Sequence, residues 1–480
     1  MGLKSPKEYV DSLRDERTVF YRGERVRDVT EHPVTRRAID HVAADYRIAE
    51  EPAQRDLMTY ADEGGQRHSR YFKVPRNAED LLRRREMIEA STRAGHGVVL
   101  LIKEIGTDFL FAMRAVATAM HAKGKTDYLP RLERYHAQCQ DRDVAMAVAQ
   151  TDVKGDRSLG PTEQAHPDYY LRVVSRNKDG IVVRGAKAHT TGSLLANEIA
   201  VLPTRALGEA DRDYAVAFAV PANTRGLKMI LSPFSESSPS EFHHPISGAH
   251  KIQDTLTIFE DVLVPWDRVF MDGEWQYAGA IANTFVQFHR FTAASYKLPW
   301  IDLMVGAAML MADVNGIARA NHVREKLSRL INYREAVLAM TKMSAIQHRM
   351  LDGGIAVPDP VLSNAAKFHF AENYHTMVRH VQDIAGGLLV TGPAEEDLAN
   401  PETGPAIEKY LGGKQGVPTR DRLRLMNLIR DMLASEAGGY HEILSIHAEG
   451  SLETQKLTIV REFDAKPLLD FTRRCARLGA

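Results

Sequence analysis

Apolar positions follow a helical period at both ends of the chain and a strand period in the middle. In residues 1–145 they recur every three or four positions behind capping residues such as Ser5 and Asn77, which predicts an all-helical region. Residues 146–273 contain short apolar runs separated by turn residues, which predicts a small antiparallel β-barrel. Long helical stretches return in residues 274–480. The pattern therefore predicts a mainly α protein with a central β-barrel and three domains, namely 1–145, 146–273 and 274–480.

Polar side chains crowd both ends of a predicted β-hairpin in residues 149–193. The sequence Asn-Lys-Asp-Gly at 177–180 separates two β-rich runs, which is typical of a hairpin turn. Thr, Asp, Lys, Gly and Arg residues precede the hairpin, and Lys, His, Thr and Gly residues close it. Exposed backbone, hydroxyl groups and cations suit a ligand with polar edges and phosphates. These residues alone leave open the alternative of a solvated loop at the rim of the barrel.

Composition narrows the classes of function. The 480 residues include 62 Lys and Arg against 63 Asp and Glu, so the charge balance gives no support to nucleic-acid binding. The two cysteines, Cys139 and Cys475, offer neither a disulfide framework nor metal-ligand spacing. The polar start of the sequence indicates no signal peptide, and no apolar run approaches the ~20 residues that span a bilayer. We therefore expect a cytoplasmic globular protein with no membrane or nucleic-acid partner.

Three segments resemble the FAD-binding signatures of a known flavoprotein family, namely residues 149–158, 185–192 and 381–391. The similarity extends over nearly the whole chain, through residues 9–14, residues 261–270 and the pair His289-Arg290. The sequence resembles the 4-hydroxyphenylacetate 3-hydroxylase / 4-hydroxybutyryl-CoA dehydratase family and lies nearer to the dehydratase branch. This resemblance implies an acyl-CoA dehydrogenase-like fold, FAD as the cofactor and a homotetramer.

The resemblance also implies where FAD binds, between the barrel and the C-terminal bundle. The pyrimidine side and the pyrophosphate would be lined by Gln150, Thr151, Lys154, Asp156 and Arg157. Hydrogen bonds to the ring edge would come from His189, Thr190 and Thr191. The segment that closes over FAD from a neighbouring subunit would include Asp383, Gly386 and Gly387. A glycine pair of this kind also fits a helix end. No Gly-x-Gly-x-x-Gly motif follows a predicted strand, which argues against a tightly bound nicotinamide.

At the implied catalytic centre the residues depart from both branches. The dehydratase resemblance places a cluster-binding histidine at His289 and the cluster-binding cysteines at Leu100, Glu104 and Tyr296. An iron–sulfur cluster needs soft sulfur ligands, so we predict that neither a cluster nor another metal is bound. A C-terminal glutamate of the dehydratase corresponds to Glu442 or to position 444. The residues with which the hydroxylase binds a phenol correspond to apolar Ile105, Phe109 and Val148.

Four polar residues remain as catalytic candidates, with Lys103 beside them: Glu104, His289, Tyr296 and Lys297. His289 is the candidate general base, and Glu104 could pair with His289 or Lys297 and shift their pKa values. Lys297 could also reach the flavin or an anionic group of a substrate. In the alternative interpretation His289 is retained for packing, Glu104 lies on a solvated helix face, and Tyr296 and Lys297 hold their helix.

Three hypotheses of function follow. The first is a monooxygenase that receives reduced FAD from a separate reductase and oxygenates an aromatic or otherwise activated small molecule. An apolar wall of Leu100, Ile105, Phe109 and Val148 favours it, because such a wall excludes water. The second is a redox-neutral dehydratase or isomerase acting on an acyl-CoA, which closeness to the dehydratase branch favours. The third is a non-enzymatic flavin-binding paralogue, which the intact FAD signatures argue against.

Overall fold

The N-terminal region of the computed structural model combines helices with four short strands. The structure describes residues 2–124, 127–234 and 238–478. Before residue 145 the elements are α1 (Pro6–Asp11), β1 (Thr18–Tyr21), β2 (Glu24–Val26), α2 (Pro33–Glu50), α3 (Arg55–Met58), β3 (Thr59–Ala61), β4 (Arg67–Ser69), α4 (Ala78–Ala94), α5 (Glu104–Ala122) and α6 (Tyr128–Asp141). The prediction of an all-helical region was therefore wrong. Strands of three or four residues cover only about one 3.6-residue helical period, so periodicity does not separate them from a helical turn.

Two open sheets, and not a closed barrel, occupy the middle of the described chain. Their remaining strands are β5 (Met146–Ala149), β6 (Arg172–Arg176), β7 (Gly180–Thr191), β8 (Glu198–Val201), β9 (Val216–Pro221), β10 (Leu227–Leu231), β11 (Asp254–Pro265) and β12 (Val269–Asp272). The six-stranded sheet has the order β2-β1-β10-β11-β7-β6, and the four-stranded sheet has the order β12-β9-β8-β5.

The predicted antiparallel barrel was wrong for two physical reasons. Strand β1 pairs with β10 and strand β5 pairs with β8 in parallel, and both sheets end in edge strands. The hairpin turn at 177–180 is confirmed, because β6 and β7 pair antiparallel and the Asn177 N–H donates to the Gly180 carbonyl at 2.9 Å. The domain limits 1–145, 146–273 and 274–480 remain a prediction.

The C-terminal region is a bundle built around one long helix. Its elements are α7 (Trp275–Val314), α8 (Asn321–Ile346), β13 (Arg349–Leu351), β14 (Ile355–Val357), α9 (Pro360–Ala385), α10 (Leu388–Thr391), α11 (Glu395–Ala399), α12 (Gly404–Tyr410), α13 (Thr419–Leu433), α14 (Glu436–His447), α15 (Leu452–Glu462) and α16 (Lys466–Cys475). Helix α7 packs against α8 and α9, and it also contacts α4 and α5. In the described ranges, none of the helices has the length and apolar character required to cross a membrane.

A largely buried loop separates α4, which ends at Ala94, from α5, which begins at Glu104. The backbone turns at Gly95, where a Cβ atom would lie 2.3 Å from the Val98 carbonyl oxygen, and at Gly97, where φ is +87°. Both positions therefore require glycine. The turn buries Leu100 and starts α5 at Glu104, and α5 packs against α7.

Candidate active site

Helix α7 carries three of the predicted catalytic side chains. His289 and Tyr296 lie seven positions apart, so they share one face of the helix, and Lys297 follows directly. Tyr296 and Lys297 are 5% and 4% exposed. Ala293 and Ala294, which lie between His289 and Tyr296 in the sequence, are buried. Their small side chains allow neighbouring helices to approach closely. The sequence around the candidates thus forms a tightly packed part of α7.

A carboxylate that the sequence patterns did not single out, Glu449, completes this group. It lies between α14 and α15 with a φ of +60°. The Tyr296 hydroxyl donates to Glu449 Oε1, and Lys297 Nζ lies 3.0 Å from Oε1 and 2.9 Å from Oε2. Lys367 Nζ, from α9, lies 3.4 Å from Oε2. The Arg290 side chain donates to the Glu449 backbone carbonyl at 3.1 Å, which fixes the loop against α7.

The carboxylate expected at Glu442 or position 444 is not part of this group. Glu442 forms an ion pair with His375, where its side chain is 32% exposed, and position 444 is a leucine. The only sequence signal for Glu449 is an acidic residue directly before Gly450 and the N-cap Ser451, in a break between two helices. That signal is typical of a solvated turn, so burial of Glu449 was not predictable from it.

Glu104 is fully buried at the start of α5, so the alternative of a solvated helix face was wrong. Its Oε2 accepts the backbone N–H groups of Ile102 and Lys103 at 2.8 and 2.9 Å. Its Oε1 has no hydrogen-bond partner among the described residues. Burial and the charge of Asp45 raise the pKa of Glu104 against the effect of these hydrogen bonds. The expected ion pair of Glu104 with His289 or Lys297 is absent from the described residues, whereas Lys103 pairs with two other buried carboxylates, Asp45 and Asp143.

His289 faces a buried aspartate across a short gap. Its Nδ1 lies 3.6 Å from Asp108 Oδ2, and neither atom has a hydrogen-bond partner in the part of the chain that the structure describes. The other oxygen, Asp108 Oδ1, accepts hydrogen bonds from Arg84 Nη2 at 2.7 Å and from the Thr292 hydroxyl at 3.0 Å. The ring of Phe285 stacks on the His289 ring with 5.3 Å between centroids. The His289 ring therefore packs against Phe285 on one face, and its Nδ1 edge faces the Asp108 carboxylate.

Three buried cations contact Glu449: Lys297 and Lys367 lie at its carboxylate and Arg290 at its backbone carbonyl. Arg290, Lys297 and Lys367 are 3%, 4% and 0% exposed. The hydrogen bonds of the Arg290 guanidinium go to the Glu449 carbonyl and to the neutral side chains of Asn364, Thr454 and Thr458. Burial alone would raise the pKa of Glu449, but Lys297, Lys367 and His289 outweigh it and lower that pKa to about 2. Burial lowers the pKa of Lys367 to about 7, although Glu449 opposes the shift.

The lowered pKa of Lys367 predicts that the protein becomes more stable as the pH rises from about 7 towards about 10. This pKa is about 7 in the folded state, against 10.5 for a lysine in water, so the unfolded state binds more protons between these values. Stability therefore rises with pH in this window, by up to about 1.4 kcal/mol per pH unit, and the full destabilisation is present below pH 7. Urea unfolding of the wild type and of Lys367→Met should show a slope that the variant lacks. Equal slopes would contradict the assignment to Lys367.

A buried ion pair fixes the predicted FAD segments next to each other. Lys187 Nζ lies 2.7 Å from Asp152 Oδ1 and donates to the Gln150 carbonyl at 2.8 Å. The Ala188 N–H donates to the Thr151 carbonyl at 2.8 Å, so the chain after β5 lies beside the end of β7. Asp152 and Lys187 were not among the predicted site residues. The sequence signal that could have identified them is the occurrence of opposite charges next to apolar strands, with Asp152 just after β5 and Lys187 within β7.

The loop after this ion pair presents charged side chains on an open surface. Lys154 is half-buried, and Asp156 and Arg157 are exposed. Burial and the neighbouring charge of Arg157 lower the pKa of Lys154. Gly155 has a φ of +54°, and a Cβ atom there would lie 2.4 Å from Gln164 Oε1. Glycine thus lets the loop pack on Gln164 while two cations stay available to an anionic ligand.

A bulge at the end of β7 gives three predicted FAD contacts, His189, Thr190 and Thr191, different environments. The register between β7 and β11 shifts at this point, and His189 is exposed with a φ of +54°. Thr190 is fully buried, yet its hydroxyl has no hydrogen-bond partner among the described residues. The Thr191 hydroxyl donates to Asp254 Oδ1 at 2.5 Å, and Tyr440 from α14 donates to Asp254 Oδ2. A buried hydroxyl without a hydrogen-bond partner is unusual, so the Thr190 side chain is the feature of this segment that indicates a bound ligand.

The segment Asp383, Gly386 and Gly387 lies apart from the FAD residues of β5 and β7 within the chain, at the end of α9. Gly386 ends that helix with a φ of +82°, so the alternative of a helix end is confirmed for this glycine. Asp383 is exposed and forms an ion pair with Lys326 at 2.5 Å. A Cβ atom on Gly387 would meet nothing within 4 Å. Packing within the chain therefore does not require glycine at 387.

Two family models cover almost the whole chain. The model described as 4-hydroxyphenylacetate 3-hydroxylase N terminal matches residues 5–271, and the corresponding C-terminal model matches residues 278–477. The chain belongs to the 4-hydroxyphenylacetate 3-hydroxylase family.

Curated members of this family differ in their chemistry. The chain is 32% identical to the 4-hydroxybutyryl-CoA dehydratase/vinylacetyl-CoA-Δ-isomerase of Clostridium aminobutyricum, over 96% of each protein. It is 30% identical to the oxygenase component of the 4-hydroxyphenylacetate 3-monooxygenase of Thermus thermophilus, over 96% of this chain and 94% of the relative. Sequence identity alone therefore does not separate the two reactions.

Solved structures of both kinds share the fold. An archaeal 4-hydroxybutyryl-CoA dehydratase from N. maritimus superimposes with a TM-score of 0.92 at 30% identity, covering 100% of this chain and 96% of that one. An oxygenase component of 4-hydroxyphenylacetate 3-monooxygenase in complex with FAD and 4-hydroxyphenylacetate also gives 0.92, at 29% identity over 99% and 98% of the two chains. The mainly helical fold with central sheets is thus that of the family.

The residues present do not fit an iron–sulfur cluster. Leu100 offers no ligand atom, one oxygen of Glu104 accepts the backbone N–H groups of Ile102 and Lys103, and Tyr296 donates to Glu449. Of the two cysteines, Cys139 is buried in α6 and Cys475 is exposed in α16. The described residues contain no group of three or more His, Cys, Asp or Glu side chains arranged to hold a metal ion.

Proposed function

We propose that this chain is the oxygenase component of a two-component, FAD-dependent monooxygenase whose substrate is a phenol or a similarly activated aromatic compound. One observation carries the proposal. The positions that correspond to the cluster cysteines of the dehydratase hold Leu100, Glu104 and Tyr296, and the two polar ones are bound into hydrogen bonds of the protein itself. A relative that is 30% identical is named as the oxygenase component of a monooxygenase, which supports the same reaction for this chain.

The segments at the ends of β5 and β7 fit FAD. The buried Thr190 hydroxyl lacks a partner among the described residues, and a ring-edge acceptor of a flavin would satisfy it. Lys154 and Arg157 would hold the pyrophosphate, with Gln150 and His189 at the rim. Reduced FAD, when bound there, supplies the two electrons that activate dioxygen. Relatives named as oxygenase components imply that a separate reductase provides the reduced flavin.

The side chains on α7 would handle the substrate. His289 would accept the phenol proton, since it lies on the same face of α7 as Tyr296. Lys297, Lys367 and Arg290 together carry more positive charge than the single carboxylate of Glu449 balances. This excess of positive charge would favour a phenolate over a neutral phenol. Apolar residues would exclude water from the reacting centre: Leu100, Ile105, Phe109 and Val148.

Thr190 gives a specific prediction for cofactor binding. Thr190→Val keeps the shape of the buried side chain and removes the hydroxyl, so we expect FAD affinity to fall by about 5- to 10-fold. The loss of one neutral hydrogen bond accounts for this magnitude. Fluorescence titration of the apoprotein with FAD measures the change. Ser193→Ala is the matched control, because the Ser193 hydroxyl already bonds to Thr255 within the protein, and an equal loss in both variants would contradict the role of Thr190.

We also propose a homotetramer in which a neighbouring copy contributes Asp383, Gly386 and Gly387 to the FAD site. The open space around Gly387 supports this, because the fold of one chain alone does not use the missing side chain. Gly387→Leu should therefore leave thermal unfolding of the individual chain unchanged. It should weaken assembly and raise the Kd for FAD by about 10-fold. Light scattering and FAD titration measure both effects, and a variant with normal assembly and affinity would contradict this interface.

The decisive test of the proposed reaction supplies reduced FAD from any flavin reductase together with a panel of substituted phenols and isotopically labelled dioxygen. The expected result is a catechol-type product that carries one labelled oxygen atom. Consumption of dioxygen with release of hydrogen peroxide alone, for every phenol tested, would contradict the proposal. The same protein should then be incubated anaerobically with hydroxyacyl-CoA thioesters, because the 32% identity to the dehydratase favours that second candidate.

A further inference from the structure

Two polar atoms near the proposed reaction centre are buried and lack any other partner among the described residues. They are His289 Nδ1 and Asp108 Oδ2, 3.6 Å apart. A hydrogen bond between them needs an approach of about 0.5–0.8 Å, which a small rotation of the imidazole supplies. Hydrogen bonds of catalytic groups are often long before a substrate is bound. A separation of 3.6 Å is therefore compatible with direct pairing of these two atoms.

The environment of Asp108 directs only one of its oxygens towards His289. Oδ1 is fully used, since Arg84 Nη2 and the Thr292 hydroxyl both donate to it. Arg84 is itself held by the Glu104 carbonyl at 2.8 Å and by the Thr107 hydroxyl at 2.9 Å. Asp108 is fully buried and Arg84 is 3% exposed. The Asp108 carboxylate therefore has a fixed orientation, in which Oδ2 faces His289 Nδ1.

This arrangement determines which imidazole nitrogen carries the proton. If Nδ1 were unprotonated, its lone pair would face the lone pairs of Asp108 Oδ2, and neither atom is accessible to solvent. Two desolvated acceptors opposite each other repel, and each is left without a hydrogen bond. A proton on Nδ1 satisfies both atoms at once. Nε2 then remains unprotonated and can accept a proton.

We propose that Asp108 is a positioning residue that holds His289 with the proton on Nδ1 and the basic nitrogen Nε2 free for the substrate. The role rests on the proposed function, in which His289 accepts the phenol proton. That proton moves from the substrate oxygen to Nε2, so the substrate becomes a phenolate and His289 becomes an imidazolium. Asp108 stabilises the imidazolium without taking the proton itself, as the aspartate of a Ser-His-Asp triad does.

The other charged groups around His289 have also been assigned partners. Glu449, from the loop after α14, is close enough for His289 to contribute to its lowered pKa, and it is neutralised by Lys297 and Lys367. Arg84, from α4, is neutralised by Asp108 itself. Removing the charge of Asp108 therefore leaves His289 among groups of net positive charge. We expect the imidazolium form to become less favourable in that case.

The first test observes the histidine directly and needs neither cofactor nor substrate. Nitrogen NMR of apoprotein containing labelled histidine, with His289→Gln to assign the signal, should show the Nδ1–H tautomer. In Asp108→Asn the signal should move to the Nε2–H tautomer or to a mixture of both. An Nε2–H tautomer in the wild type, or no change in Asp108→Asn, would overturn the proposal.

The second test uses catalysis. Asp108→Asn should lower kcat about 10- to 100-fold, as changes in outer partners of a site commonly do. The acid limb of the pH profile of kcat/KM should move to lower pH by about one unit, because the imidazolium has lost its counter-charge. Asp45→Asn is the matched control, since Asp45 is also buried and also paired with a cation, Lys103, but lies in a different ion pair. An unshifted pH profile would overturn the role of Asp108.

A milder variant covers the case in which Asp108→Asn does not fold. Thr292→Val removes one donor from Asp108 Oδ1 and keeps the volume of the side chain. It should produce the same tautomer mixture and pH shift with smaller amplitude, and a wild-type tautomer and pH profile would count against the proposal. If the wild type shows the Nδ1–H tautomer but oxygenates no phenol, the proposed reaction fails and the positioning of His289 by Asp108 stands.

Discussion

Replacing Glu449 with leucine is expected to lower the free energy of unfolding by about 3–5 kcal/mol, because it removes one partner of a buried ionic group. Lys297 and Lys367 would then lie buried without their carboxylate, and the Tyr296 hydroxyl would lose its acceptor. Chemical unfolding at neutral pH, followed by circular dichroism, measures the loss. A variant this unstable should also lose FAD-dependent turnover, since α7 carries the other candidate residues.

Two controls separate the charge of Glu449 from its shape. Glu449→Gln keeps the size and one acceptor, so the difference between the two variants reports the charge. Glu442→Leu removes a carboxylate of the same helical region that is 32% exposed, and it should change stability by less than about 1 kcal/mol. The pKa of Glu449 is about 2 when folded, against 4.5 for a glutamate in water, so its stabilisation is present above pH 4.5 and is lost as the pH falls towards 2. Full stability of Glu449→Leu would contradict the assigned role.

Replacing His289 with alanine is expected to lower kcat by about 100- to 10,000-fold while FAD remains bound. A general base contributes a factor of this size. FAD binding should persist because the cofactor contacts come from the ends of β5 and β7 and not from α7. Turnover with a reductase and a competent phenol measures the first effect, and fluorescence titration with FAD measures the second.

The matched control is His375→Ala, which removes a histidine from α9 whose side chain is 60% exposed. It should retain full turnover. If His289→Ala also retains turnover, His289 is a packing residue against Phe285 and the base must be sought elsewhere. If the loss in His289→Ala disappears for phenols that are already ionised at the assay pH, removal of the phenol proton is the step that His289 serves.

Part of the active site was visible in the sequence because the residues that build it are close together in the chain. His289, Tyr296 and Lys297 lie within one helix. The FAD signatures lie at the ends of β5 and β7, which an isolated bridge between Asp152 and Lys187 links. Glu449 and Asp108 were not found. Each lies far along the chain from the residue it contacts, and neither stands in a pattern that differs from an ordinary polar position.

The sequence by itself determined the helical C-terminal region and the strand-rich middle of this protein, and its family. Those features follow from short-range periodicity and from local motifs, which are written in consecutive residues. Only the tertiary structure decided that the strands form two open sheets instead of a barrel, because parallel pairings such as β1 with β10 join residues about 200 positions apart in the chain. It also decided the electrostatic environment of the centre. Against the effect of burial, the charges of Lys297, Lys367 and His289 lower the pKa of Glu449. Burial and the charge of Asp45 raise the pKa of Glu104. Both effects depend on the distances and the exclusion of water that folding creates.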